Sequence, residues 1–164
     1  MPDILAVIKK RRSIRKFKLN AVPLAAIKKI LEAGRWAPSG LNNQPWRYLI
    51  IKDQDTKNSL SAFTKYGSII RNAPVIIAVM MDTADSYNRE KDLMAIGASI
   101  QNMLLEAESL KVGTCWLGEI LNKKKEVKEF LRLDSDLELM AMIAAGTPAH
   151  KPRGCRKKME ELLI

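Results

Sequence analysis

Apolar residues recur along this chain with helical spacing in some stretches and as short continuous runs in others. Asp3 precedes Ile4, Leu5, Val7 and Ile8, which predicts a first helix capped by the Asp3 carboxylate. A second helix is predicted from Pro23 in its first turn, with Leu24, Ile27, Ile30 and Leu31 on one face. It ends near 34–37, ahead of Pro-Ser-Gly at 38–40. Residues 47–52 read as a strand in which Tyr48, Leu49, Ile50 and Ile51 form a buried run, followed by a short helix over about 55–63. The run 74–81 is continuous enough for a central strand. After a polar stretch, 82–88, a long helix is expected over 90–110, with Leu93, Ile96, Ile100, Met103, Leu104 and Ala107 at helical spacing and Gly97 allowing close packing. Val112-Gly113 is the expected stop. Strands at 114–117 and 137–145 enclose a helix over about 122–131 capped by Asn122. No repeat or linker interrupts the pattern, so residues 1–164 form one α+β (or α/β) layered domain with a single sheet.

At 164 residues and 47% hydrophobic content the chain buries a sizeable core, which excludes disordered, collagen-like and low-complexity classes. Its longest apolar run falls far short of the roughly 20 residues that span a bilayer. The first residues lack a signal-type apolar core, so a cytoplasmic protein with no membrane partner is expected. Cys115 and Cys155 alone make neither a disulfide framework nor a four-ligand zinc site, and no metal is expected.

The net charge of +10 changes this picture only through its location. Residues 9–18 carry seven basic side chains and 151–158 carry five, with no acid in either segment. The rest of the chain holds 16 basic against 18 acidic residues. A polyanion binder spreads its charge along a face; two compact clusters also suit a small phosphate ester. Charge alone does not choose between them.

Three segments are candidates for chemistry. Arg11-Arg12-Ser13-Ile14-Arg15 offers forked guanidinium donors and a hydroxyl suited to phosphate oxygens, or equally a solvated helix end. In the loop 37–46, two prolines stiffen the backbone and Gly40 permits a tight turn or a close approach to a ligand. Its Asn42 and Gln44 amides each donate and accept, which suits a heterocycle edge better than a metal, although turn formation alone also uses such residues. Leu117-Gly118-Glu119 either ends a strand in a turn or presents backbone N–H groups to a planar ligand. His150 reads as structural or exposed, Cys115 as a buried apolar residue, Cys155 as an accessible thiol without a redox partner, and Met80, Met103 and Met142 as core.

Taken together, Arg-Arg-Ser-Ile-Arg-Lys-Phe at 11–17, Ala-Pro-Ser-Gly-Leu-Asn-Asn-Gln-Pro-Trp at 37–46, Gln101-Asn102-Met103 and the 113–119 turn resemble, in order, the FMN-dependent nitroreductase family, of which this would be a small member. In the tail, Gly146-Thr147-Pro148-Ala149 and then the segment from Arg156 to Leu162 resemble the family's ending. The resemblance implies a mostly antiparallel central sheet flanked by helices, in an intertwined homodimer with two FMN sites at the interface. It assigns Arg11, Arg12, Ser13 and Arg15 to the FMN phosphate, ribityl chain and N1/O2 edge, joined at the phosphate by Arg156 and more weakly by Arg153. Pro38, Ser39, Gly40, Asn42 and Gln44 then reach the isoalloxazine from the partner chain, and Leu117, Gly118 and Glu119 line the ring near N5 through backbone groups. The implied activity passes hydride from NADH or NADPH through FMN to a small acceptor (nitroaromatic, quinone, enone or flavin) in ping-pong order. Because the flavin carries the chemistry, no side chain is named as catalytic. Two departures stand out: only 82–89 separates the central strand from the long helix, and the ring contact expected after the first strand has no obvious residue around 65–72. The alternatives are a flavin-fragmenting or dehalogenating enzyme of the same fold, or a small basic nucleic-acid-binding protein. The last leaves the 37–46 loop unexplained and has few aromatics, at 5%, for base stacking, so no nucleic-acid partner is expected.

Overall fold

The computed structural model describes residues 3–164. Four strands, β1 (Trp46–Ile51), β2 (Val75–Asp82), β3 (Gly113–Leu117) and β4 (Leu137–Gly146), form one sheet in the order β1-β2-β4-β3 with every neighbour antiparallel. The helices are α1 (Ile4–Lys10), α2 (Leu24–Arg35), α3 (Gln54–Leu60), α4 (Gly67–Asn72), α5 (Arg89–Ser109) and α6 (Lys124–Phe130). The expected α+β architecture with a sheet flanked by helices is the one observed.

Strand β2 is central because both of its faces are apolar. Val75, Ile77, Val79 and Met81 pack under α2 and α5 with Ile27, Ile30, Ile96, Ile100 and Met103. Ile76, Ala78 and Met80 face the other way, onto Leu60 of α3, Ile70 of α4, Val127 of α6 and Ile120 in the 3-10 turn before α6. Period-two alternation holds along β2. On β4 it is broken by a register shift opposite Val79/Met80, which puts Leu139 and Met142 on the same face although they are three residues apart.

Several local expectations need correction. β1 is an edge strand, so its run is only half-buried, with Ile50 exposed and Ile51 buried. Pro23 is the N-cap of α2, not a first-turn residue. Lys111, at φ 60°, ends α5 in the left-handed region, and Val112 N–H returns to the Ala107 carbonyl. Gly113 instead opens β3, where a Cβ would meet Ile14 Cγ1 at 2.7 Å and Pro148 Cγ at 2.8 Å. Asn122 lies inside a 3-10 turn, Glu119–Lys123, and Lys123 precedes α6. Helix α4 was not anticipated, and among the described residues nothing beyond its chain neighbours and its own helix backbone lies within 4 Å of the Gly97 Cβ position. The Asp3 cap holds as expected, its carboxylate accepting from Leu5 N–H at 3.0 Å.

Candidate functional site

The first basic segment leaves α1 and runs beside β3. Ser13 bridges Thr114 in parallel, and Ile14 N–H donates to the Thr114 carbonyl at 2.8 Å. Buried Ile14 fixes this crossing, so Ser13 stands beside the strand and Arg15 faces solvent. Lys18 N–H then pairs with the Thr147 carbonyl, and Ala149 N–H with that of Lys16, which turns the tail back along the same segment. Lys151 binds Glu108 near the end of α5 at 2.6 Å. Gly154 arrives against Arg12, its Cβ position 2.9 Å from Arg12 Nε. The two acid-free segments therefore meet. Arg153 and Arg156 flank that contact in sequence and are exposed.

Arg12 donates to the carbonyls of Lys9 and Arg11, Arg15 to that of Ser13 and Arg156 to that of Cys155. Among the described residues, no carboxylate lies within 4.0 Å of Arg11, Arg12, Arg15, Arg153 or Arg156. Cys115 lies beneath; burial pushes its thiol up, while Arg15 and Arg11 pull the other way and lose. An uncompensated arginine cluster of this kind suits a dianionic phosphate.

The 38–44 loop lies elsewhere. Leu41, Asn42 and Gln44 adopt left-handed backbone at φ 54°, 54° and 48°, whereas Gly40 does not. Gly40 is small because the Tyr87 hydroxyl occupies the place of its Cβ. Ser39 Oγ accepts from Gln44 N–H at 3.0 Å, and Gln44 donates to the Asn42 carbonyl. Pro38 and Asn42 are exposed at the loop's outer side.

Asp92, fully buried in the first turn of α5, anchors the loop. It accepts from Asn43 at 2.8 Å, Ser86 Oγ at 2.6 Å, and the N–H groups of Tyr87 and Asn88 at 3.2 Å each. Burial works against its charge, yet the bonds from Ser86, Asn43, Asn88 and Tyr87 outweigh it and hold the carboxyl below its usual range. Asn43 Oδ1 stays buried without a partner. A cleft of about 740 Å³ opens beside the loop between α2 and β1, touching Asn43, Gln44 and Tyr48 but none of those five arginines.

At the end of β3, Leu117 is buried, Gly118 exposed and Glu119 half-buried. The Glu119 carboxylate accepts from Thr64 Oγ1 at 2.5 Å and Lys65 N–H at 3.2 Å. The Thr64 bond, against a burial penalty, keeps Glu119 below its usual range, with smaller help from Asn122 and Lys65. Lys65 Nζ, 3.9 Å from Glu119, adds a cation at this turn that the sequence pattern did not indicate. No local signal marks it, because the two residues are brought together only by the fold.

Asn43 is tied to Asp92 and Lys151 to Glu108, sixteen residues apart on one helix. At 1.5 Å per residue, these tie points are about 24 Å apart along α5. One chain thus holds its basic cluster and its amide-rich loop apart.

The architecture is the nitroreductase-like α+β fold. A solved nitroreductase structure from Desulfovibrio desulfuricans, in complex with FMN and provisionally named, superimposes with a TM-score of 0.97 at 47% identity, covering 100% of this chain and 96% of the other. The nitroreductase family model matches residues 8–65 and 61–147, and the chain belongs to that family. A protein of Methanothermobacter thermautotrophicus, provisionally named an NADH dehydrogenase/NAD(P)H nitroreductase, is 30% identical over 92% of this chain and 80% of its own length. An iodotyrosine deiodinase of Thermotoga neapolitana is 26% identical over 90% of each chain.

Proposed function

We propose that the protein is an FMN oxidoreductase that takes hydride from NADH or NADPH and delivers it to a small acceptor in ping-pong order. When bound, FMN supplies the hydride-accepting and hydride-donating chemistry. The observation that carries this reading is the meeting of two acid-free basic segments at the Arg12–Gly154 contact, in a chain of the nitroreductase family. Arg11, Arg12, Ser13 and Arg156, with Arg153, hold the phosphate and ribityl chain. Arg15 sets positive charge at the N1/O2 edge, where negative charge gathers on reduction. Backbone N–H groups at Gly118 and Glu119 face the ring near N5, with Leu117 beneath. Pro38, Ser39, Gly40, Asn42 and Gln44 come from the partner chain of a homodimer, because one chain holds the two half-sites apart.

The cytoplasm, where reduced nicotinamide is available, is the proposed compartment. Reductive dehalogenation is a second reading, favoured by the similarity to the deiodinase. Purified protein is expected to show flavin absorbance near about 450 nm and to oxidise NADH or NADPH only with an acceptor present. A screen of nitroaromatic, quinone, enone, flavin and halotyrosine acceptors separates the two readings. Protein that stays colourless with added FMN and oxidises neither nicotinamide refutes both.

A further inference from the structure

At the end of the sheet away from the 38–46 loop, a cleft of about 510 Å³ opens between residues 19–22, α3 and the junction of α4 with β2. Trp46 and Ile51 mark the two ends of β1, about 17 Å apart along the strand. Val22, Ala73, Pro74 and Val75 give the cleft apolar walls. Lys52, Lys57 and Arg71 supply three cations, and no carboxylate lines it. Its walls are tied together, since Gln54 Nε2 donates to the Arg71 carbonyl at 3.0 Å and thereby holds α3 to α4.

Lys57 makes this more than a basic patch. It is only 4% exposed, which is rare for an unpaired lysine. Its ammonium group donates to the Ala73 carbonyl at 2.8 Å, and among the described residues it has no other partner and no carboxylate within 4.0 Å. Capping the end of α4 uses one of its three donors. The other two remain. Burial pulls its pKa down, and the Asp53 charge, which is not in direct contact, offsets this only in part.

We propose that this cleft binds a small organic anion. Its oxyanion head sits on Lys57, Lys52 and Arg71, and its apolar body lies against Val22, Ala73 and Pro74. The proposal does not depend on the flavin reading.

The test is calorimetric titration of FMN-saturated protein with phenyl phosphate, benzoate, inorganic phosphate and benzylamine. Saturation keeps the arginine cluster occupied, and the visible spectrum reports separately on whether flavin is bound. Phenyl phosphate or benzoate is expected to bind more tightly than inorganic phosphate, and benzylamine not at all; the tighter of the first two identifies the head group. Lys52→Ala and Arg71→Ala, both at exposed positions, should each weaken binding about tenfold, as loss of one charge-assisted hydrogen bond does. Lys57→Met should abolish it; if that variant fails to fold, Arg71→Glu and Lys52→Glu carry the test. No heat from either organic anion by about 10 mM overturns the proposal. So does equal affinity for inorganic phosphate, or affinity unchanged in the Lys52 and Arg71 variants.

Discussion

Arg12 spends two donors on the carbonyls of Lys9 and Arg11, so its role at the segment crossing is partly to fix the backbone. Arg11 and Arg156 make no such double contact and are the better probes of a shared phosphate. A charge-assisted hydrogen bond contributes roughly 1.5–3 kcal/mol. Arg11→Ala and Arg156→Ala should therefore each weaken FMN binding about 10- to 150-fold. Riboflavin, which lacks the phosphate, should lose much less, and Lys125→Ala, outside both clusters, should change neither. Fluorescence titration with both ligands checks this, and equal losses for riboflavin and FMN in Arg156→Ala remove the tail from the phosphate. The arginines were legible in the sequence because a run of basic residues without an acid is a local pattern. Asp92 was not legible: in the sequence it is one more acid in a helical first turn, and only the fold brings Asn43, Ser86 and Tyr87 around it. Lys65 was hidden for the same reason, since its neighbour Glu119 is 54 residues away.

Elements with a strong apolar signature were read closely. β2 is buried on both faces, so its run could only be a central strand, whereas β1, an edge strand, is equally apolar in sequence and yet half-open. Helix α4 escaped because six residues with two buried isoleucines show no period, and its entry depends on Gly67 packing against the Ser61 carbonyl. The end of α5 lies within one residue of the expected 110, but the left-handed position falls on Lys111, two residues before the glycine expected to stop the helix. Lys111→Gly should accordingly stabilise the protein by about 0.5–1 kcal/mol in denaturant titrations, as the side-chain penalty at positive φ is removed.

Glu138 on β4 joins three elements, binding Arg89 of α5 at 2.6 Å and Lys124 of α6 at 2.6 Å. The Arg89 bonds, opposed by burial and aided by Lys124, lower its pKa to about 2. A carboxyl depressed in the folded state stabilises above its unfolded pKa and loses that contribution as pH falls towards its folded value. Screened by solvent, the effect is about 1–2 kcal/mol. Glu138→Gln should show this deficit at pH 7, and the gap to the parent should close between about pH 4.5 and 2. A gap that stays constant over that range rules the ion pairs out as its source.

At the scale of the whole molecule, the surface of one chain is unfinished. Helix α1 has no buried residue, and Ile4, Leu5, Trp36 and Met94 are between 52% and 74% exposed. Together with the open Cβ position at Gly97, these fit a second copy packed on the α1 and α5 side. Sedimentation of the FMN-loaded protein should give a dimer that persists at nanomolar concentration; a monomer that binds FMN and turns over would defeat the proposed shared site. The expectation of a dimer comes from family resemblance alone, because nothing in a single chain's periodicity states what covers an exposed face. The separation of the two half-sites along α5 has a genetic consequence. An Arg11 variant and a Gln44 variant, each inactive alone, damage different halves of the site. In a two-fold dimer formed from one copy of each, one site receives both lesions and the other receives none. Co-expressed in equal amounts, two dead alleles should thus restore about a quarter of the sites, a complementation that two variants from the same half cannot give.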